Sequence, residues 1–172
     1  MVPGRDRLGQ RPSAAWGELI GANPVDRGKP GSKYHLPIDN GGLPLAVGLS
    51  AANTHDSQLL EPLVDAVPAV IGPRGRPGRP RKRPAKLHAD KGYDYPTCRQ
   101  ALRRRGIAPR IARRGVESNQ RLGRHRWKVE RSLAWLLANR RLTVRYERRG
   151  DILTAFLHLA CALVCAHKLP PL

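Results

Sequence analysis

Ala85-Lys86-Leu87-His88-Ala89-Asp90-Lys91-Gly92-Tyr93-Asp94 is the stretch on which the fold turns. A short extended run, Ala85 to Ala89, ends on a carboxylate and a glycine-containing turn. Asp94 then stands where an N-cap is expected, with Pro96 in the first turn of a helix reaching about Arg105. Proline suits that place because its φ is already helical and its missing N–H has no partner there. A second extended run, Ile107 to Ala112, follows directly. A carboxylate at the C-terminal end of a strand is well placed to meet a ligand outside the sheet. The plainer reading of Asp90 is an acid that serves the turn.

Working upstream, Lys33–Ile38 and Leu43–Ser50 are two extended runs separated by Asp39-Asn40-Gly41-Gly42, which is strong hairpin chemistry. Leu59, Leu60, Leu63, Val64 and Val67 recur at helical spacing, so a helix is expected over Thr54–Val67 with Thr54 or Asp56 as its cap. Residues 1–30 show no lasting periodicity, and 1–22 are set apart as an irregular segment before a domain covering 23–172. Within it, Ile71–Pro84 is rich in Gly, Pro and Arg and reads as an exposed basic loop, centred on 72–84. Downstream, Arg113–Gly123 reads as a loop and Arg124–Ala138 as a helix with Val129, Leu133, Leu136 and Leu137 on one face. Asp151 opens a last helix that is apolar almost all round and so is expected at the centre. Hairpin strands followed by alternating strands and helices predict an α/β fold with a mixed sheet and helices on its faces.

The 172 residues carry 32 Lys and Arg against 13 Asp and Glu, a net of +19. Residues 1–71 hold six basic and seven acidic side chains, and residues 72–172 hold 26 and six, so the second half alone carries +20. Its partner is expected to be a polyanion, nucleic acid first. The predominance of Arg fits phosphate, which its planar fork matches. Three cysteines with no Cys-x-x-Cys pair exclude a disulfide framework and favour a reducing cytoplasm. The longest apolar run, Ile152–Ala166, contains His158 and falls short of the roughly 20 residues that span a bilayer.

In so basic a chain each acid needs a reason. Asp90 is the first candidate for chemistry. Glu130 is the second, on a helix with Arg124, Arg126, Lys128 and Arg131. Arg126 and Glu130 are one turn apart, which fits either a plain ion pair or a metal-binding carboxylate flanked by cations that hold phosphates. Asp39 is expected to serve the hairpin turn. Phosphodiester cleavage needs charge stabilised on attacking and leaving oxygens, which two divalent ions do. Mg²⁺ prefers hard oxygen ligands, so such a site is built from Asp and Glu.

Four blocks now stand together: Asn23-Pro24-Val25-Asp26-Arg27-Gly28-Lys29-Pro30-Gly31-Ser32-Lys33-Tyr34-His35-Leu36, then Gly42-Leu43-Pro44-Leu45-Ala46-Val47 with Asn53-Thr54-His55-Asp56, then Ala89–Asp94, then Arg126-Trp127-Lys128-Val129-Glu130-Arg131-Ser132-Leu133-Ala134-Trp135-Leu136 with Arg140-Arg141-Leu142. In order and spacing they resemble the DDE-type transposases of bacterial insertion sequences, nearest the insertion-sequence-five-like group, over about residues 17–168. The resemblance implies a ribonuclease H-like mixed sheet flanked by helices and three metal-binding acids. Matched by motif, Asp90 is the second acid, Glu130 the third, and Arg126 the arginine near the cleavage point. Position 137 is Leu where some groups place a basic residue; Arg140 and Arg141 come later.

The first acid should end a strand upstream. Asp6 stands near the expected distance, 20 residues before Asp26, but Met1-Val2-Pro3-Gly4-Arg5 is a poor strand. The first strand is therefore expected to be missing or degraded, with the chain truncated at its N-terminus. The implied reaction is Mg²⁺-dependent (or Mn²⁺-dependent) hydrolysis at the element's ends, then joining of the freed 3′-hydroxyl to target DNA. The implied partners are double-stranded DNA, as terminal inverted repeats and target, and further copies of the chain on that DNA, in the cytoplasm at the nucleoid and not at a membrane. Arg126, Lys128, Arg131, Arg124, Arg140, Arg141 and Lys91 are the expected strand-binding cations. Arg74 and Arg76 join them from Pro73-Arg74-Gly75-Arg76-Pro77, which matches an AT-hook core or a phosphate-binding loop. A non-catalytic DNA-binding remnant that interferes with the full-length enzyme is the alternative. Trp127 and Trp135 are expected to pack against the sheet or the last helix, with stacking on unpaired bases as the other reading.

Overall fold

The computed structural model describes residues 17–72, 78–116 and 119–168, with side chains of 119–126 outside the description. Asp6, Arg74 and Arg76 lie outside the described residues, and so do the side chains of Arg124 and Arg126. The architecture is mixed α/β.

Strands β1 (Gly21–Ala22), β2 (Pro30–His35) and β3 (Gly48–Ala51) form one antiparallel sheet in that order. The hairpin between β2 and β3 is built as its sequence implies. Leu43 N donates to Asp39 Oδ1 at 2.8 Å, and Asp39 N to Leu43 O at 2.9 Å. Pairing runs from Ser32↔Ala51 to His35↔Gly48, then resumes at Ile38↔Pro44. The returning chain therefore holds one extra residue, a bulge that bends the hairpin.

A short 3-10 turn (Asp56–Leu59) leads into α1 (Leu60–Ala66). Its N-cap is His55, whose ring nitrogen accepts from Ser57 N, so neither Thr54 nor Asp56 caps it. Strand β4 (Lys86–Ala89), a 3-10 turn (Lys91–Tyr93), helix α2 (Pro96–Arg104) and strand β5 (Ala108–Ile111) follow, with β4 and β5 parallel. Pro96 opens α2, but the N-cap is Tyr95 rather than Asp94 and uses no side chain. The helix ends where Gly106 takes φ +70°. Ile107 N then bonds Leu102 O and Gly106 N bonds Arg103 O, the Schellman pattern that only glycine enters without strain.

Helix α3 (Asn119–Leu137) begins four residues before Gly123, inside the stretch expected to be a loop. A short α4 (Arg140–Thr143) then turns the chain into α5 (Gly150–Lys168). The α5 N-terminus is capped from far away, because Gly150 N donates to Glu18 Oε2 at 2.9 Å. By length and composition α5 is the one described helix apolar enough to cross a membrane. It does not run through the centre. Leu153, Leu157, Ala160 and Val164 are buried, whereas Ile152, Leu159 and Leu163 are exposed. The all-round apolar pattern gave no indication of which face would be covered.

The described strands make two sheets, not one. Two cores accompany them. One gathers Leu60, Leu63, Val64, Ala89, Tyr93, Cys98, Leu102, Ile107 and Ile111. The other gathers Tyr34, Leu36, Val129, Leu133, Leu136, Leu142, Leu153, Leu157, Ala160 and Val164. Strand β3 is the seam. Val47 and Leu49 pack on the second core, while a Cβ at Gly48 would stand 2.9 Å from Leu63 of the first.

Candidate metal and nucleic-acid site at the end of β4

Asp90 follows the last residue of β4, as expected, and its backbone is extended. Its Oδ1 accepts from Gly92 N at 2.9 Å, which caps the 3-10 turn Lys91–Tyr93. The plain turn role is therefore real. The same bond also orients the carboxylate. Lys91 starts this turn, and its carbonyl accepts from Arg114 Nε at 3.0 Å.

Asp56 arrives from the turn before α1. Its Oδ1 accepts from Lys33 Nζ at 3.1 Å, and that ammonium also donates to Thr54 O at 2.9 Å. Both side chains are largely shielded from solvent. Gly92 shows how close the two acids come: a Cβ there would stand 2.9 Å from Asp90 Oδ1 and 3.5 Å from Asp56 Oδ2. Both carboxylates thus reach one point beside the Gly92 Cα. Within electrostatic reach of both acids lies Tyr93, fully buried, with a phenol oxygen that has no hydrogen-bond partner. Burial, reinforced by the charges of Asp56 and Asp90, pushes that phenol far above its ordinary range.

Asp94, four residues on, is used differently. It accepts from Arg114 N at 2.8 Å and from Arg99 Nη2 at 2.6 Å. The Arg114 N–H, then Arg99, hold its carboxyl below the usual range. Arg99 also donates to Ile111 O at 3.0 Å, so this clamp ties α2 to the end of β5.

Glu130 occupies the exposed side of α3, whose opposite side buries Val129 and Leu133 in the second core. The helix is fastened to the hairpin tip. Ser132 Oγ donates to Gly42 O at 2.6 Å, Arg131 Nη2 to Gly41 O at 2.7 Å, and Lys128 Nζ to Asn40 Oδ1 at 2.7 Å. Lys128 and Arg131, expected to hold DNA, thus have head groups engaged by the hairpin. A side chain at Gly42, at φ +92°, would collide with Arg131. Arg131 also lies 4.7 Å from the ring centres of both Trp127 and Trp135. Trp135 packs on the second core and meets Lys168 of α5, but Trp127 is 48% exposed. On α4 and after it, Arg140 is exposed and Arg141 pairs with Glu147 at 3.0 Å.

Among the described residues, no three His, Cys, Asp or Glu side chains gather as a metal site. Asp90 and Asp56 are brought together; Glu130 is not joined to them as a third ligand. The sequence offers Asp56 as a helix cap and Gly92 as part of the turn after Asp90, and nothing in it singles out Lys33. The scarcity of acids was the one signal that pointed at Asp56.

A carboxylate at a strand end in an α/β chain of net charge +19 is the combination of a protein suited to a polyanionic partner. Residues 5–165 match the transposase DDE domain family, and the chain belongs to that family. It is 49% identical over 158 residues, 91% of this chain and 74% of the relative, to a Burkholderia cepacia protein named as transposase for insertion sequence element IS402. No solved structure matches the chain.

Proposed function

We propose that the chain is an insertion-sequence transposase that acts on the ends of its element by metal-dependent phosphodiester hydrolysis and strand transfer. One observation carries the reading: Asp90 ends a parallel strand, locked by the Gly92 N–H, at a point that Gly92 keeps open. The hard carboxylate oxygens of Asp90 and Asp56 near that point suit Mg²⁺ or Mn²⁺. When bound, such an ion stabilises charge on the attacking and leaving oxygens. In this reading Asp90 and Glu130 hold metal and Asp6 supplies the first acid. Arg124, Arg126, Lys91, Arg140, Arg141, Arg74 and Arg76 hold the strands. Lys128 and Arg131 serve by seating α3 on the hairpin. The antiparallel β2–β3 pair and the parallel β4–β5 pair are read as parts of one ribonuclease H-like sheet, with copies of the chain assembled on double-stranded DNA.

Cleavage of duplexes carrying the terminal inverted repeats tests this. Wild type with Mg²⁺ should cut, and Asp90→Ala and Glu130→Ala should not; cutting that survives both substitutions refutes the assignment. DNA affinity should fall on the order of a thousandfold between 50 and 200 mM salt, through counterion release. The split between the two sheets favours a second reading, a DNA-binding remnant without catalysis. Calorimetry that finds no metal bound at millimolar concentration selects it.

A further inference from the structure

Asp56 has no task in the reading above, yet the structure spends unusual effort on it. It lies in a turn whose cap is made by another residue, His55. Its carboxylate is instead turned inward, onto an ammonium carried by the middle of β2. Lys33 is in turn held by the Thr54 carbonyl, so this pair is placed, not a chance surface contact. The oxygen of Asp56 that does not face Lys33 reaches the same point beside Gly92 as Asp90 Oδ1. Any residue but glycine at position 92 would fill that point. The hydroxyl of Tyr93 lies within electrostatic reach of both acids and has no partner in a fully buried side chain. Buried hydroxyls are nearly always satisfied, so one left without a partner in the field of two carboxylates calls for a reason.

We propose that Asp56 holds the divalent cation jointly with Asp90, and that Lys33 competes with that cation for the Asp56 carboxylate. The inference rests on the reading of Asp90 as a metal acid. Lys33 acts as a charge counterweight: it keeps the two acids from repelling each other when no ion lies between them, and it weakens the site for the ion. Two substitutions on either side of one ion pair should therefore shift metal affinity in opposite directions. A purely structural pair would not behave so, because breaking it from either side would loosen the same turn.

The test is titration of Mn²⁺ into the full chain, reading free Mn²⁺ by electron paramagnetic resonance, with far-ultraviolet circular dichroism as the check on folding. Asp90→Asn should abolish binding. Asp56→Asn should weaken it by at least about tenfold, the lower end of the loss known even for groups that merely support metal ligands. Lys33→Met should tighten it several-fold. Unchanged affinity in Asp56→Asn, with binding lost in Asp90→Asn, overturns the role of Asp56 and leaves Asp90 standing. Binding that survives Asp90→Asn, or no binding by wild type, sinks the reading underneath. If Asp56→Asn does not fold, Lys33→Met decides alone: affinity equal to or weaker than wild type overturns the proposal.

Discussion

The two cores are assembled by different means. The one beneath Asp90 comes from a single stretch of chain, Leu60 to Ile111, in which each element packs on its near neighbours in sequence. The one beneath Glu130 joins Tyr34 and Leu36 to residues 129–164, across some of the longest separations in the molecule. The proposed metal acids therefore sit on separately cored halves. Among the described residues, the halves meet at the close approach of β3 to α1 at Gly48 and through the Lys33–Asp56 pair. A site divided in this way is set by how the halves lean together, so its geometry is more easily altered than either core.

The largest test of that contrast is one cavity in each half. Leu102 and Leu157 are both buried, at 1% and 0% exposure. Leu102→Ala and Leu157→Ala should each cost about 2–5 kcal/mol in urea unfolding. Hydrogen exchange should show protection lost first in β4–β5 for the former and in α3 and α5 for the latter. Equal loss everywhere would merge the two cores into one.

Next comes pH. Burial, acting against the attraction of Asp56, pushes His35 down to about 4, while its Nε2 lies 2.8 Å from Ser50 Oγ. Its folded value is depressed below the ordinary 6.5. Between those values the unfolded chain takes up a proton that the folded chain refuses. Stability should therefore fall by about 3 kcal/mol as pH drops from 7 to 4. His35→Phe should flatten this slope, and an unflattened slope would assign it to other groups.

Tyr34→Phe is smaller. It removes the buried bond from the phenol to Leu142 O at 2.9 Å and should cost about 1 kcal/mol, leaving a carbonyl short of a donor. Arg99→Met bears on the first half alone. The Asp94 carboxyl should titrate closer to its ordinary value by carbon NMR, rising only in part because the Arg114 N–H remains. Trp127→Ala should change stability by only about 0.5 kcal/mol, since half of that ring is exposed. A loss several times larger would mean that the outer face of α3 is more tightly built than its exposure shows.

The same contrast explains what could be read in advance. The unit from β4 to β5 was legible because its punctuation is local: Asp90 ends the strand, Pro96 opens the helix and Gly106 closes it. Even there, the true role of Asp94 is hidden, because nothing nearby in sequence announces Arg114 as its partner. The hairpin was legible for the same reason, through Asp39 and two glycines. In the second half, the first turns of α3 lack apolar residues on a repeating face, and Gly123 lowers helix propensity, so the start of this helix is hidden in the sequence. The covered side of α5 is not legible because a uniformly apolar sequence does not say which side meets a neighbour. The approach of Asp56 to Asp90 spans 34 positions and depends on tertiary packing alone.

The tip of the hairpin is the last point of interest. Solvent-exposed loop ends normally accept added or deleted residues without harm. Here Asn40, Gly41 and Gly42 each offer a carbonyl to Lys128, Arg131 or Ser132. Those three anchors surround Glu130 in sequence, so the tip behaves as a ruler against which α3 is set. One residue inserted between Asp39 and Leu43 would leave the anchors out of step and rotate the helix about its axis. The length of this turn is thus tied to the seat of a helix some 90 positions away.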